Sequence, residues 1–278
     1  MNKKVLISFL VVLLLVPLAF FVFSRKDTGR QEIHVDKVKD SLALKVGVAQ
    51  RIDCLPAFYA ESEGIFDSLG VDIKLVRYAS QLDCDAALER HRIDGAYTDS
   101  KRVEYLASTR KTTMTKCFDT GMTWKLVACR KSRVRNVSQL SDKLVAMTRF
   151  SATDYLCDVM MDSLKNKEKS FYRIQVNDVD LRLKMLLGNE VDAAWLPEPQ
   201  ASVAQKHGAN VLMHSDKIDD KMAGLYFLNA VNSDERKKSQ IATFENACTI
   251  AKTRIAKLTS AQYSDLINRF YKYNNVGR

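Results

Sequence analysis

Five short polar segments of this chain carry side chains able to hold a small charged molecule. They are Gln50-Arg51-Ile52-Asp53, Ser80-Gln81, Thr98-Asp99-Ser100, Thr148-Arg149-Phe150-Ser151 and Pro197-Glu198-Pro199. Arg51 and Arg149 offer planar, forked donors that suit a carboxylate, sulfonate or phosphate. Asp53, Asp99 and Glu198 suit an amine or amidine. Gln50, Ser80, Gln81, Thr98, Thr148, Ser151 and Thr153 add neutral donors and acceptors. Tyr78, Tyr97, Phe150 and Trp195 either stack on a flat ring or pack in a core; of these, Tyr97 joins the candidate ligand contacts. The mixed signs favour an organic zwitterion or polar heterocycle over a bare inorganic anion. No Ser, Cys or His falls in a motif with an acid partner, so no catalytic residue is assigned and the chain reads as a binder, not an enzyme.

The elements that must position these residues alternate between strand and helix. Strand character falls at 42–49, 71–79, 93–99, 112–119, 123–130, 143–150 and 172–177, and helical patterns at 55–66, 82–91, 151–164 and 179–189. From residue 240 onward helical spacing dominates. Strands alternating with helices of about ten residues imply an α/β fold with largely parallel sheets. Ligands then bind outside the carboxyl ends of the strands. Each polar segment sits at such an end. Taken singly, each is accounted for by helix capping; Ser80 and Ser151 are candidate N-caps, and Asp154 completes a capping box with Ser151.

One junction is unusual. Ala193-Ala194-Trp195-Leu196 reads as a short buried strand, and Pro197-Glu198-Pro199 ends it. Proline cannot donate to a ladder and fixes φ, so a strand stops here and a helix starts at once. Glu198 then either faces a ligand beside a helix N-terminus or only caps that helix.

The chain has 278 residues, with 43 basic and 33 acidic side chains and a net charge of +10. Lys3, Lys4, Arg25, Lys26 and Arg30 against Asp27 concentrate part of that charge in the first thirty residues. The remaining charge is spread, with no basic stripe interleaved with aromatics, so nucleic acid is not expected as a partner. Val5 to Phe23 is uncharged and close to the roughly 20 residues that span a bilayer. Residues 1–24 are therefore read as a signal anchor or a cleaved signal peptide, the uncleaved anchor being favoured, and polar residues 25–41 as a tether. Six cysteines allow fifteen complete pairings. Cys54 and Cys84 both lie four or five residues beyond the ends of neighbouring strands, and a Cys54–Cys84 disulfide is the expectation. No Cys-x-x-Cys pair occurs, and His34, His91, His207 and His214 lack ligand spacing; neither metal nor cofactor is expected.

Four segments, in order, resemble the substrate-binding proteins of ABC importers for nitrate, sulfonates and taurine. They are "FYAESEGIFDSLGVDIKLVRYAS" (58–80), "AALERHRIDGAYTD" (86–99), "VSQLSDKLVAMTRFSATDYLCDVMM" (137–161) and "RLKMLLGNEVDAAWLPEPQASVAQKHGANVL" (182–212). His91 departs from the pattern, standing where glycine is usual. The resemblance implies a two-lobed type II periplasmic binding fold with two crossover strands, preceded here by the hydrophobic N-terminal segment. Lobe 1 would be 42–119 with 221–278 and lobe 2 would be 120–220, hinged near Thr120-Gly121 and 218–222. It also implies capture of a small organic molecule between lobes, hinge closure, and delivery to an ABC permease and its ATPase by a monomer. The location implied is the periplasm, with anchoring at the inner membrane through the leader. A membrane-tethered ligand sensor is the alternative reading. A thiamine-pyrimidine synthase-like enzyme is a further one, against which stands the lack of a cysteine cluster.

Overall fold

Strands buried on both faces need no alternation of polar and apolar residues, and the runs LVAM and AAWLP show none. The computed structural model describes residues 42–49, 51–163, 170–219 and 221–275; the leader, the tether and Gln50 lie outside them. Residues Leu44–Arg278 form one compact unit. Its first part runs β1 (Leu44–Val48), α1 (Leu55–Ser62), α2 (Ile65–Ser68), β2 (Ile73–Arg77), α3 (Gln81–Glu89), β3 (Gly95–Asp99), α4 (Ser100–Arg110) and β4 (Met114–Asp119). A second part follows with β5 (Trp124–Ala128), β6 (Leu144–Met147), α5 (Ala152–Ser163), β7 (Tyr172–Gln175), α6 (Val179–Leu187), β8 (Ala193–Pro197), α7 (Gln200–Lys206) and β9 (Asn210–His214). The chain then returns through β10 (Ala223–Leu228), α8 (Glu235–Ile255) and α9 (Ser260–Asn275).

Two five-stranded sheets result, in the orders β2-β1-β3-β10-β4 and β7-β6-β8-β5-β9. Each has a parallel trio, β2-β1-β3 in one and β7-β6-β8 in the other. An antiparallel strand that has crossed from the other sheet then joins each trio: β10 beside β3, and β5 beside β8. The α/β class expected from the alternating pattern is therefore present, as are two sheets, which the resemblance implied.

The second sheet shows why its strands are apolar throughout. Leu126, Val145, Met147, Ala193 and Trp195 face one core with Leu156 and Met160 of α5. Val127, Ala146, Ala194 and Leu196 face another with Leu186 of α6 and Ala201 and Ala204 of α7. The first sheet packs against Phe58 of α1, Phe66 of α2, Phe244 of α8 and Phe270 of α9. The helix expected over 55–66 is instead two, because Gly64 takes a left-handed φ of 64°. His91 replaces the usual glycine at the end of α3 and adopts the left-handed conformation anyway, at φ 50°. The neighbouring Arg92 N–H still closes the turn onto Ala87 O at 2.9 Å.

The Cys54–Cys84 disulfide expected from strand adjacency is absent. All six cysteines are free thiols, and Cys54 and Cys84 are buried. A Cβ at Gly47 would lie 2.9 Å from Cys84 Sγ, so this thiol fills space beside β1. Burial pushes both thiols well above their ordinary range, which suits small apolar packing groups.

Gly95 opens β3 where β10 crosses closely. A Cβ there would sit 2.5 Å from the Tyr226 carbonyl oxygen and press into the Phe227 ring. Backbone on one side leaves no room to yield. Gly95→Ala is expected to lower unfolding free energy by about 1–3 kcal/mol, read from urea denaturation.

Candidate ligand-binding site

Residues just past the carboxyl ends of six strands converge on one cleft between the two sheets. Ala49 and Arg51 follow β1, Ala79 and Gln81 follow β2, and Asp99 ends β3. From the second sheet come Thr148, Ser151 and Thr153 after β6, Asn177 to Asp180 after β7, and Pro197 at the end of β8. The cleft encloses about 600 Å³, including its part open to solvent. All five polar junctions singled out in the sequence contribute a residue. The sixth, Asn177-Asp178, was missed, although it too is polar and stands between a strand pattern and a helix pattern.

Asp99 is the centre of the arrangement. Its Oδ1 accepts the Arg102 N–H at 2.9 Å, capping α4, and the Ala152 N–H at 2.8 Å, which opens α5 in the other half. Burial pushes its carboxyl up to about 6; the two N–H donors and the Arg51 guanidinium act in the opposite direction, and Asp85 adds to the rise. Arg51 forks onto Asp53 at 3.0 and 2.6 Å. Burial alone would lower its pKa, but Asp53 beside it raises it. Asp53 Oδ2 also accepts the Thr120 hydroxyl at 2.9 Å, tying the pair to the start of a crossover. So Asp53 supports Arg51 and does not line the cleft.

The cation of the second half is Arg182, which the sequence reading did not select. It sits on α6 at 1 % exposure, and its guanidinium donates to Val176 O, to Trp195 O at 2.7 Å and to the Thr148 hydroxyl. Burial lowers its pKa to about 10, and among the described residues no carboxylate is hydrogen-bonded to it. Its helical position resembles a solvated surface arginine, and only the β7–α6 junction hinted otherwise.

Arg149, expected in the cleft, points away from it. Its side chain is 47 % exposed, with Asp154 at 3.8 Å and the Phe150 ring as its neighbours. The cause is local: Phe150 takes a left-handed φ of 55°, and the turn swings the preceding side chain outward. Only the Arg149 carbonyl takes part, accepting Arg102 Nη1 at 2.9 Å from the other half. Phe150 itself stacks on Tyr105 across the same divide, with ring centroids 4.3 Å apart and planes 2° from parallel.

Other expected contacts also resolve into supporting roles. Glu198 binds Lys125 Nζ at 2.5 Å and accepts the Ser202 N–H at 3.1 Å, so it caps α7 instead of facing the cleft. Burial raises its pKa, but these partners outweigh that and hold it low. Tyr97 is core, its ring edge-on to Phe118 and its hydroxyl 3.7 Å from Cys248 Sγ. Thr98 is fully buried, and its hydroxyl has no partner among the described residues. Trp195 is core, and Tyr78 packs partly buried on the first core. Ser80 caps α3 and its backbone bridges to Asp178 across the cleft. Ser151 Oγ accepts the Thr153 N–H and Asp154 accepts the Phe150 N–H, a capping pair shifted by one residue from the expected box. The aromatic that does line the cleft is Trp124, paired in register with Pro197. Its backbone N–H donates to Ser215 Oγ at 2.9 Å. Among the described residues no group of three or more His, Cys, Asp or Glu is placed to hold a metal ion.

The fold is similar to that of solved structures described as ligand-binding components of ABC-type import systems and as periplasmic binding proteins. A ligand-binding component of such a system from Staphylococcus aureus, solved with zinc bound, superposes with a TM-score of 0.66 at 14% identity, over 82% of this chain and 78% of that one. The periplasmic aliphatic sulphonate binding protein SsuA from Escherichia coli gives 0.62 at 16% identity, covering 83% and 79%. The periplasmic nitrate-binding protein NrtA from Synechocystis PCC 6803 gives 0.67 at 13%, covering 81% and 64%. No family profile matches the sequence, and no curated protein is similar to it.

Two outcomes follow from this geometry. Arg182→Ala strips partners from buried carbonyls and should cost about 3–5 kcal/mol in chemical denaturation, whereas Arg149→Ala should stay within about 0.5 kcal/mol. Asp99 gives a pH signature. Unfolded, its carboxyl releases its proton near the ordinary 3.8; folded, it holds the proton up to about 6. Between those values the folded state binds more protons, so this contribution to stability is full below the lower value and is lost as pH rises through the upper. Asp99→Asn keeps an oxygen for both N–H groups and removes the titration. Relative to that variant, the wild type should lose roughly 2 kcal/mol between pH 4 and pH 7, measured by urea denaturation at each pH.

Proposed function

We propose that this chain is an extracytoplasmic solute-binding protein that captures one small organic molecule between two lobes and delivers it to an ABC import permease and its ATPase. The observation that carries the reading is the convergence of six strand-to-helix junctions on one polar cleft, within a fold shared with binding components of such importers. Lobe 1 comprises 42–119 and 221–278, and lobe 2 comprises 120–220. Among the described residues the chain passes between their sheets at Thr120–Thr123 and again after His214. Two thin connections allow the lobes to part and close around a ligand.

The polar lining, Arg51 and Arg182 against Asp99, Asp178 and Asp180, fits a molecule with both donors and acceptors, hence a zwitterion or polar heterocycle. The lining residues contain no paired nucleophile and base, which supports binding without conversion. The neighbours described as periplasmic support the same compartment here, and the apolar run Val5–Phe23 supports tethering to the inner membrane. A monomer suffices, since one chain supplies the whole cleft.

Native mass spectrometry of the full chain, isolated from its own cells, should show one small organic molecule per chain that leaves intact on denaturation. Conversion of that molecule by purified protein, abolished by a single substitution in the cleft, would overturn the reading.

A further inference from the structure

We infer that the ligand meets Asp99 with a positively charged N–H group, so that the cleft selects an organic cation or zwitterion and rejects simple anions. The inference rests on the solute-binding reading and names the class of ligand for that site.

A helix N-terminus is a ready anion site, because its first N–H groups have no partner within the helix. In this cleft the N-terminus of α5 is already met by a carboxylate of the protein, through the Ala152 N–H bond to Asp99. Both hydrogen bonds of Asp99 fall on Oδ1, and among the described residues Oδ2 has none. The side chain is 4 % exposed and lines the cleft. A carboxylate oxygen that meets no protein donor, on a side chain this little exposed, is costly to keep charged, and a cationic N–H group is the partner that relieves it.

Most of the donors that would hold a simple anion are engaged within the protein. Arg51 gives Nε and Nη2 to Asp53, which leaves Nη1 for the acidic end of a zwitterion, and Arg182 uses its donors on two carbonyls and a hydroxyl. The Ser151 hydroxyl donates to Thr148 O at 2.7 Å. Against these stand Asp99, Asp178 and Asp180 on the lining, so carboxylates outnumber guanidiniums even before Asp53 is set against Arg51. An anion entering here would face a net negative wall with few free donors. A ligand carrying an ammonium or amidinium finds the opposite.

The test compares wild type, Asp99→Asn and Asp99→Ala in the full chain, purified in detergent and freed of bound ligand. Acetamidinium, ethylammonium and taurine form one probe set, and nitrate and ethanesulfonate the other, with thermal shift and titration calorimetry as readouts. The wild type should answer to the first set only. Asp99→Asn, which keeps both N–H bonds, should weaken that response about ten- to a hundredfold. Asp99→Ala should gain a response to ethanesulfonate at the vacated N-terminus of α5. Wild-type binding of nitrate or ethanesulfonate, unchanged or weakened in the Ala variant, would overturn the inference and leave the solute-binding reading intact. If the wild type answers to neither set, the Ala variant decides: gain of ethanesulfonate binding supports the inference, and no gain overturns it. Failure of the solute-binding reading shows separately, as no small molecule released from the chain isolated from its own cells.

Discussion

The cleft is organised by a carboxylate shared between two helices. Asp99 ends β3, caps α4 and reaches the first N–H of α5, so a single side chain satisfies helix termini belonging to two sheets. Helix N-termini need acceptors, and a parallel α/β sheet places many of them at one edge. When two such edges face each other, the N–H groups of both must find partners in the same narrow space. Asp99 meets part of that demand, with burial working against its charge. Arg51 is fixed by Asp53, Asp53 by Thr120, and Arg102 by Asp85 and by the Arg149 carbonyl. The lining is thus held by a layer of residues just behind it.

Much of this layering is invisible along the chain. The α/β class was legible because strand and helix periods differ and because polar residues punctuate each change. The cleft was legible as a set of junctions, each of which does contribute to it. What did not transmit was direction within a junction. Arg51 and Arg149 have similar sequence settings, yet a left-handed residue beside Arg149 turns it to solvent. Arg182 occupies a helical position like that of many surface arginines, and only tertiary packing buries it. Glu198 satisfied either of two readings on paper, and the lysine opposite, seventy-three residues earlier, decided for capping.

The cysteines illustrate a related limit. Adjacency of β1 and β2 was inferred correctly, and the two are parallel neighbours in register. From adjacency a Cys54–Cys84 bridge was expected, but neighbouring strands fix backbone spacing, not the direction of side chains past their ends. The thiols fill core volume instead. The proline pair behaves as its chemistry dictates: Pro197 closes the ladder opposite Trp124, and α7 begins after Pro199.

The exchange of strands has a consequence for the order in which the molecule is built. In the first sheet β10 lies between β3 and β4, so β4 has no partner until residues 223–228 have been made. The second sheet draws all five strands from one continuous stretch, 124–214. As the chain emerges from the ribosome, or threads across a membrane, the second half becomes complete while the first still has a gap one strand wide. Its missing strand must then close a loop of more than a hundred residues, which is slow compared with the local contacts of the second half. The half that begins later in the chain is therefore the one that can finish first, and it serves as the scaffold from which β10 returns.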